Sequence, residues 1–582
     1  MAKNVFNSVQ GNHPSLNRFD LSYTHMFTAE IGRLYVAQVD ECAPGDVWKI
    51  GASTHIECTP LVAPLLSDLD AFAHSFFVPY RLLYGIDNAD GKSIWEKFIT
   101  GGEDGLYDTP LPNWSPNWSV GTSRDNQSFS TNKIWDSCGF PVAHTLHGSG
   151  NDAYYSWDPI VPYSTEANPF HVSIAPKRSY NLIWNEFYRD INLQDEVDLD
   201  QEDLLFVSWK KDFFTSALEF QQRGIAPALP ISGKIPLSIV NDGVGGMGTY
   251  DTQITLLDDA VNLDQGAVFS DGNDYPDDYN GLTLNMIGEH EIPRQGYPLV
   301  MPGAGIKDSS VIRGRYGIDL SNAVTFTIHD LRLAFAEQRL MELDMRAGTS
   351  RYTSYLSAHY GVSPTDERLD RPEYIGGCKI PLNVAPVVQT SGTEKESGSQ
   401  LTAQGHKAGT MTANGNEFIG KYRVVEHGLI MTMVSIRPKP CYHQGINPQW
   451  LRQSRFSYYS PEFANLSEVA VKNASLFVDG TPADQDIFGY QACWNEMRCK
   501  QNIISGAIHD QYSYWAMFRN FGSRPALNAD FISLNHPEEY NRIFAVQDED
   551  PFIVSWSNLL DVYRPIPLSG EPGLIDHVYG GK

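Results

Sequence analysis

Short strand-like runs stand far apart along this chain, joined by long connections rich in glycine and proline, and no regular exchange of strand and helix links them. That pattern excludes a doubly wound α/β sheet, which needs strands and helices in alternation. It favours an all-β sandwich whose loops outrun its strands. Forty-eight glycines and 35 prolines, spread over 582 residues, supply the turns such a fold requires. Residues 33–39 alternate Leu34 and Val36 with Tyr35 and Ala37, and Ala43-Pro44-Gly45-Asp46 reads as the turn that follows. Residues 74–83 form an apolar run broken by Pro79, which reads as a strand ending at an edge. Residues 204–209 read as a buried strand, 324–328 as a half-buried one, and 429–437, apolar on both faces, as a central one.

Helix signals are few. Over 179–190, Tyr180, Ile183, Trp184 and Phe187, continued by Ile191, share one face at helical spacing behind Ser179 as N-cap; the stripe reads as core packing. Residues 331–347 are the strongest helix, with Leu333, Ala336, Leu340 and Leu343 on one face, Thr327 and Asp330 as a capping pair and Gly348 as the stop. Weaker helical stretches fall at 463–477 and 511–521.

Four segments read as departures from a compact domain. The first twenty residues are polar and asparagine-rich, an extended arm. Residues 101–150 form a long surface excursion, and 390–416 a flexible polar loop. Residues 231–310 differ most: they carry 12 acidic and three basic side chains and 12 glycines, as an inserted, solvent-facing protrusion would.

The whole chain carries a net charge of −27, which argues against a surface that coats nucleic acid unaided, because phosphates are neutralised by Lys and Arg. Seven cysteines at wide spacing, with no CxxC pair, read as free thiols of a reducing compartment. The N-terminus lacks a signal-peptide core, and no run reaches the ~18 apolar residues of a membrane span. The expectation is a chain made in a cytoplasm, with no membrane partner.

Catalytic motifs are lacking. Gly243-Val244-Gly245-Gly246-Met247-Gly248 matches GxGxxG, but strand-like sequence follows where a dinucleotide site needs a helix, so it reads as a surface hairpin. There is no GxSxG elbow and no phosphate-binding P-loop. Asp271, Asp274, Asp277 and Asp278 cluster as carboxylates that calcium favours, though without an EF-hand's final glutamate; a solvated acidic loop is the alternative. A divalent cation such as calcium is the sole cofactor candidate. Glu289-His290-Glu291, Asp198/Asp200 and Asp548/Asp550 make no complete metal pattern. Aromatic and basic residues mix at 452–459 and 515–524. Arg452, Arg455, Tyr458, Trp515 and Arg519 are candidates for single-stranded DNA or subunit contacts, with core packing as the plainer use.

Several blocks in order resemble the major capsid protein of the gokushovirus branch of the Microviridae. They include NRFDLS at 17–22, FFVPYR at 76–81, WEKFITGG at 95–102 and YNLIWNEFYRD at 180–190. The longest runs from 330 to 391, and later ones include SIRP at 435–438, FGYQ at 488–491 and RPALN at 524–528. The resemblance spans residues 17 to 546 or so. It implies an eight-stranded antiparallel viral jelly roll with long loop insertions and a few helices, and a structural rather than enzymatic role. It further implies pentamers building a T=1 icosahedral shell of about 60 copies around circular single-stranded DNA. The implied partners are a small basic DNA-binding packaging protein, scaffolding and pilot proteins, and a bacterial surface receptor. The implied setting is a virion assembled in the host bacterial cytoplasm. By position and character, 231–310 matches the three-fold protrusion of that family, with Asp271, Tyr275, Asp277, Asp278 and Tyr279 as host-attachment candidates. Rival readings are a carbohydrate-active enzyme or lectin, and a phiX-type capsid protein served by a separate spike.

Overall fold

Alternation of inward apolar and outward polar residues builds the main sheet. In the segment Val47–Cys58, Trp48, Ile50, Ala52 and Ile56 are buried while Ser53, His55 and Glu57 on the other face are not. Phe552–Arg564 repeats the pattern with Phe552, Val554, Trp556, Leu560 and Val562 inward. The computed structural model describes residues 15–87, 91–102, 107, 109–114, 134–140, 142–147, 154–159, 172–226, 237–240, 315–318, 328–347, 351–363, 365–390, 393–394, 400–402, 407–547 and 549–568.

The chain forms two compact units, one of Met1–Gly224 with Met341–Lys582 and one of Ile225–Leu340, the latter wider than the 231–310 insertion read from composition. Nine strands make the sheet of the first unit: β1 Asn17–Asp20, β2 Tyr23–Ala29, β3 Leu34–Cys42, β4 Val47–Cys58, β5 Leu69–Pro79, β6 Glu373–Val388, β7 Lys407–Arg423, β8 Gly428–Pro438 and β9 Phe552–Arg564. Their order is β1-β9-β4-β7-β6-β5-β8-β3, with β2 continuing β1 along β9, and every pairing is antiparallel. Strand β6 belongs to both halves: residues 373–382 pair with β5 and 383–388 with β7.

The sheet folds back so that both halves bury one core, drawn from Trp48, Met411 and Trp556 on one side and Phe77, Ile430 and Met433 on the other. Counting β1 and β2 as one strand, this is the connectivity of an eight-stranded jelly roll, as the resemblance implied. Tight turns join β3 to β4 and β7 to β8, whereas β5 to β6 and β8 to β9 are joined by excursions of residues 80–372 and 439–551.

Side chains close the gap between the two ends of the strand order. Ala37 falls at a bulge in the β3–β8 register, where regular pairing is interrupted. Asn558 of β9, 1% exposed, donates to that carbonyl at 2.9 Å, and His25 of β2 reaches the same oxygen at 3.4 Å. Trp556 Nε1 in turn donates to Asn558 Oδ1 at 3.0 Å. Edge strand β3 is thus occupied by neighbours instead of standing open to another chain.

Strands β5 and β8 are buried on both faces because the β5–β6 excursion covers them. Helix α1, Ala175–Ile183, runs into a π turn at Trp184–Tyr188, and Phe187 packs on Phe76 with ring centroids 4.7 Å apart. Tyr180 donates to Leu34 O at 2.8 Å and accepts from Leu205 N at 2.9 Å. The aromatic stripe therefore is core, but Ser179 is not its cap: the helix starts at Ala175 with Pro176 in its first turn, and Ser179 is buried inside it. Ile191 lies beyond the helical turns.

Other expectations are corrected. The run ending at Pro79 is an interior strand between β6 and β8, and Pro79 closes it where a missing N–H matters least. Residues 204–209 make only isolated bridges, at Phe206 to Arg33 and Ser208 to Ser533. Their apolar side chains bury under the sheet's rim without a partner strand. Residues 463–477 and 511–521 hold single 3-10 turns and the strand Glu468–Lys472, since β-branched Val469 and Val471 pair with Ile487–Ala492. Residues 407–416, read as loop, are the first half of β7, where Met411 and the small Gly409 and Ala413 alternate inward. Residues 324–327 lie outside the described residues. Helix α2, Ile328–Arg346, forms as expected, yet Leu333 and Leu340 of its apolar face are exposed. Of the second unit by itself, the described parts are a two-stranded pair, Leu237–Val240 with Arg315–Ile318, and the first turns of α2.

Candidate assembly surface

The β8–β9 excursion has too little regular structure to hold itself by backbone ladders, so a second core holds it. Tyr442, Val471, Leu476, Phe488, Phe531 and Ile532 close around Phe213, Phe214 and Ala217 from the other excursion. Tyr442 donates to Asp212 at 2.5 Å and Gln491 to Phe213 O at 2.7 Å, which satisfies the polar groups at this junction.

What that core leaves outside is unusual for an isolated soluble chain. Trp450 is 75% exposed, Phe456 67% and Ile503 72%, and Tyr458, Tyr459 and Ile487 are each at least half exposed. Covering one large side chain of this kind is worth ~1.5–3 kcal/mol, and aromatic residues with arginine are what buried interface centres are made of.

The candidates from the sequence divide on this surface. Arg452 is fixed by Glu496, 2.6 Å away, with its guanidinium 5.7 Å from the ring centres of both Tyr458 and Trp494. Arg455 is exposed and lies 5.5 Å from the Phe456 ring. Trp515 is half-buried in a 3-10 turn. Arg519 is 5% exposed, donates to Phe531 O, and its guanidinium sits 4.1 Å from the Phe531 ring, so within the subunit it packs the interior, the plainer of its two uses. Asp271, Asp274, Tyr275, Asp277, Asp278 and Tyr279 lie outside the described residues, as do the glycines of 243–248. Among the described residues, no three His, Cys, Asp or Glu side chains are grouped to hold a metal ion. No helix there is long and apolar enough to cross a membrane. All seven cysteines are free.

Trp450 and Ile503 escaped the sequence reading because nothing periodic marks them; an apolar residue in an aperiodic, turn-rich stretch is silent about burial. Asn558 could have been found, since it interrupts the inward series Trp556, Leu560, Val562 at the parity of a core position. The buried chain Ser75, Thr432 and Gln38 across β5, β8 and β3, with contacts of 2.6 and 2.9 Å, carries the same signal in weaker form.

Comparison with known proteins gives this geometry its context. The family model described as "Capsid protein (F protein)" matches residues 7–574. The chain is 28% identical to the capsid protein VP1 of Chlamydia phage 1, over 98% of both chains. It is 29% identical to the capsid protein VP1 of Bdellovibrio phage phiMH2K over 97% of both, and 26% identical to that of Spiroplasma virus 4 over 98% of this chain and 97% of the relative. A jelly roll with two long excursions, an exposed aromatic surface and a full-length family match lead to one conclusion: the chain belongs to the F-type phage capsid protein family, in the gokushovirus branch its sequence blocks resemble, and is a structural, non-enzymatic protein of a multi-copy virion shell.

Proposed function

We propose that this capsid protein forms pentamers and a T=1 shell of about 60 copies enclosing a circular single-stranded DNA genome, and that the exposed apolar side chains of 446–503 are subunit contacts. The exposed aromatic surface carries this reading. Closed symmetry lets a chain with one set of complementary patches finish a finite particle, and many modest contacts acting together hold it. The charge of −27 supports a division of labour in which a small basic packaging protein neutralises most of the genome. Scaffolding and pilot proteins would complete the assembly in the host cytoplasm, and residues 231–310 would form the three-fold protrusion that meets a bacterial receptor.

Paired substitution Trp450→Ala and Phe456→Ala tests the contact assignment. The expected result is folded subunits, with unchanged circular dichroism, that no longer sediment as particles. Particles of wild-type yield from the double variant would remove 446–503 from the interface.

A further inference from the structure

The two halves of the jelly roll differ in cover. The β3-β8-β5-β6 half carries the excursions. The outward side chains of β1, β2, β9, β4 and β7 are exposed or half-exposed along the strands' length. The register sorts that bare face into rows. Asn414, His55 and Ser555 form one row, and Asn416, Ser53, Ser557 and Thr24 the next. Phe418 follows, 67% exposed, opposite Gly51, which offers no side chain to cover it. Beyond it lie Lys421, Lys49 and Asp561, then Arg423, Tyr563 and Arg18.

Three features of this face point to one kind of ligand. Ser53, His55, Asn414, Asn416, Ser555 and Ser557 line an open trough of ≈470 Å³ with no aliphatic side chain in it. His55 is held by Asn414 at 2.6 Å and by Glu57 at 3.0 Å, so the hydrogen-bonding groups are fixed in place. Next to the trough stands an exposed ring, and next to that a set of cations. On a chain of charge −27, the outward charges here are four cations (Arg18, Lys49, Lys421, Arg423) against three carboxylates (Asp20, Glu57, Asp561). Asp561 already pairs with Arg18 and with Lys49, the latter at 3.3 Å. Lys421 and Arg423 are exposed at the margin. Successive outward rows are ~6.8 Å apart, the order of the interval between neighbouring phosphates of an extended strand. Polar edges for bases, a ring for stacking and a cationic row for phosphates are the requirements of single-strand binding without sequence preference.

We infer that the outward face of β4, β7 and β9 binds single-stranded nucleic acid, with Lys49, Lys421 and Arg423 on phosphates, Phe418 stacking a base and the Ser/Asn/His trough taking base edges. This rests on the capsid reading for the source of the strand. A neutral glycan is the competing occupant of a trough of hydroxyls and amides, and the cationic row argues against it.

The test is binding of a labelled oligothymidylate to purified full-length subunits across a salt series. Wild-type affinity should fall with salt. The variant Lys49→Gln/Lys421→Gln/Arg423→Gln should show a log–log slope shallower by about 2, at ~0.7 per lost phosphate contact. Phe418→Ala should bind about tenfold more weakly with its slope unchanged. Photo-crosslinking of wild-type protein to halogenated DNA, which needs no variant to fold, should map to peptides within 47–57 and 407–423. Absent wild-type binding, variants that bind as wild type, crosslinks confined to other peptides, or a neutral oligosaccharide that competes the DNA away would each overturn the inference. Particle formation, read separately by electron microscopy, tells a failure here from a failure of the capsid reading.

Discussion

Replacing Asn558 by alanine should loosen the jelly roll where its two sheet ends meet. The side chain is 1% exposed and makes two bonds, donating to Ala37 O at 2.9 Å and accepting from Trp556 Nε1 at 3.0 Å. Trp556 is fully buried, and Ala37 stands where the β3–β8 register shifts and regular pairing is interrupted. Deleting the amide leaves two interior polar groups to be satisfied. Each orphaned group costs ~1–3 kcal/mol, and His25, already 3.4 Å from Ala37 O, can recover part of one. A net loss of ~2–4 kcal/mol follows, concentrated on β3. Because a chain of this size in an assembly does not unfold in one step, the assay is hydrogen exchange read by mass spectrometry on peptides covering Leu34–Cys42, against β7 and β8 as internal references. Protection in β3 should drop at least ~30-fold, by 2 kcal/mol or more of opening free energy. Unchanged exchange in β3, with a normal melting profile, would show that the cross-gap amide bonds do not hold the sheet ends together and would refute the closure argument.

Acid should weaken the subunit through His74. Its pKa is pushed down to about 4, first by burial and then by the nearby Arg437 charge, while its Nδ1 contacts Tyr188 OH at 2.9 Å. Because the folded state holds this imidazole neutral, the unfolded state binds the extra proton, and stability falls as pH drops from about 6.5 to about 4. The loss is ~3 kcal/mol at most, and His74→Asn should flatten that part of the pH–stability profile of subunits; an equally steep profile would clear His74. Gly376→Ala should abolish soluble expression or lower the melting midpoint sharply. Its added Cβ would stand 2.2 Å from the Ile419 carbonyl oxygen, backbone against backbone at the β6 bulge, and a normal melting curve would refute it. Reducing agent should leave assembled particles intact, because all seven cysteines are free; disassembly by dithiothreitol would contradict that.

The legible parts of the sequence were those where one physical signal dominates. The doubly apolar run at 429–437 could only be a central strand, and β8 is one, sandwiched between β5 and β3. The aromatic series from Tyr180 to Phe187 had to be buried, and it packs on Phe76. Misreadings arose where local and tertiary signals disagree. Ser179 looks like a cap, but Pro176 three residues earlier sets the helix start. Residues 407–416 look like a loop because Gly409, Asn414, Gly415 and Asn416 have low intrinsic strand preference. They lie in a sheet because β4 and β6 flank them and the inward Gly409, Met411 and Ala413 fit a crowded core. The jelly-roll connectivity lay beyond periodicity altogether: strands β5 and β6 are nearly 300 residues apart, and the resemblance of sequence blocks supplied what alternation could not. The surface candidates fared unevenly for a related reason. An arginine among aromatics, such as Arg519, serves equally in a core or at an interface, and only the packing of Phe531 and Trp209 around it decides.

The most direct test of the central claim is electron microscopy of the protein purified from its phage-producing source, with mass measured on the same fractions. The account predicts uniform small icosahedral particles, built from pentamers of this chain, with a knob on the three-fold axes contributed by residues 231–310. A protein that stays monomeric in that source, or that is absent from its particles, would contradict it.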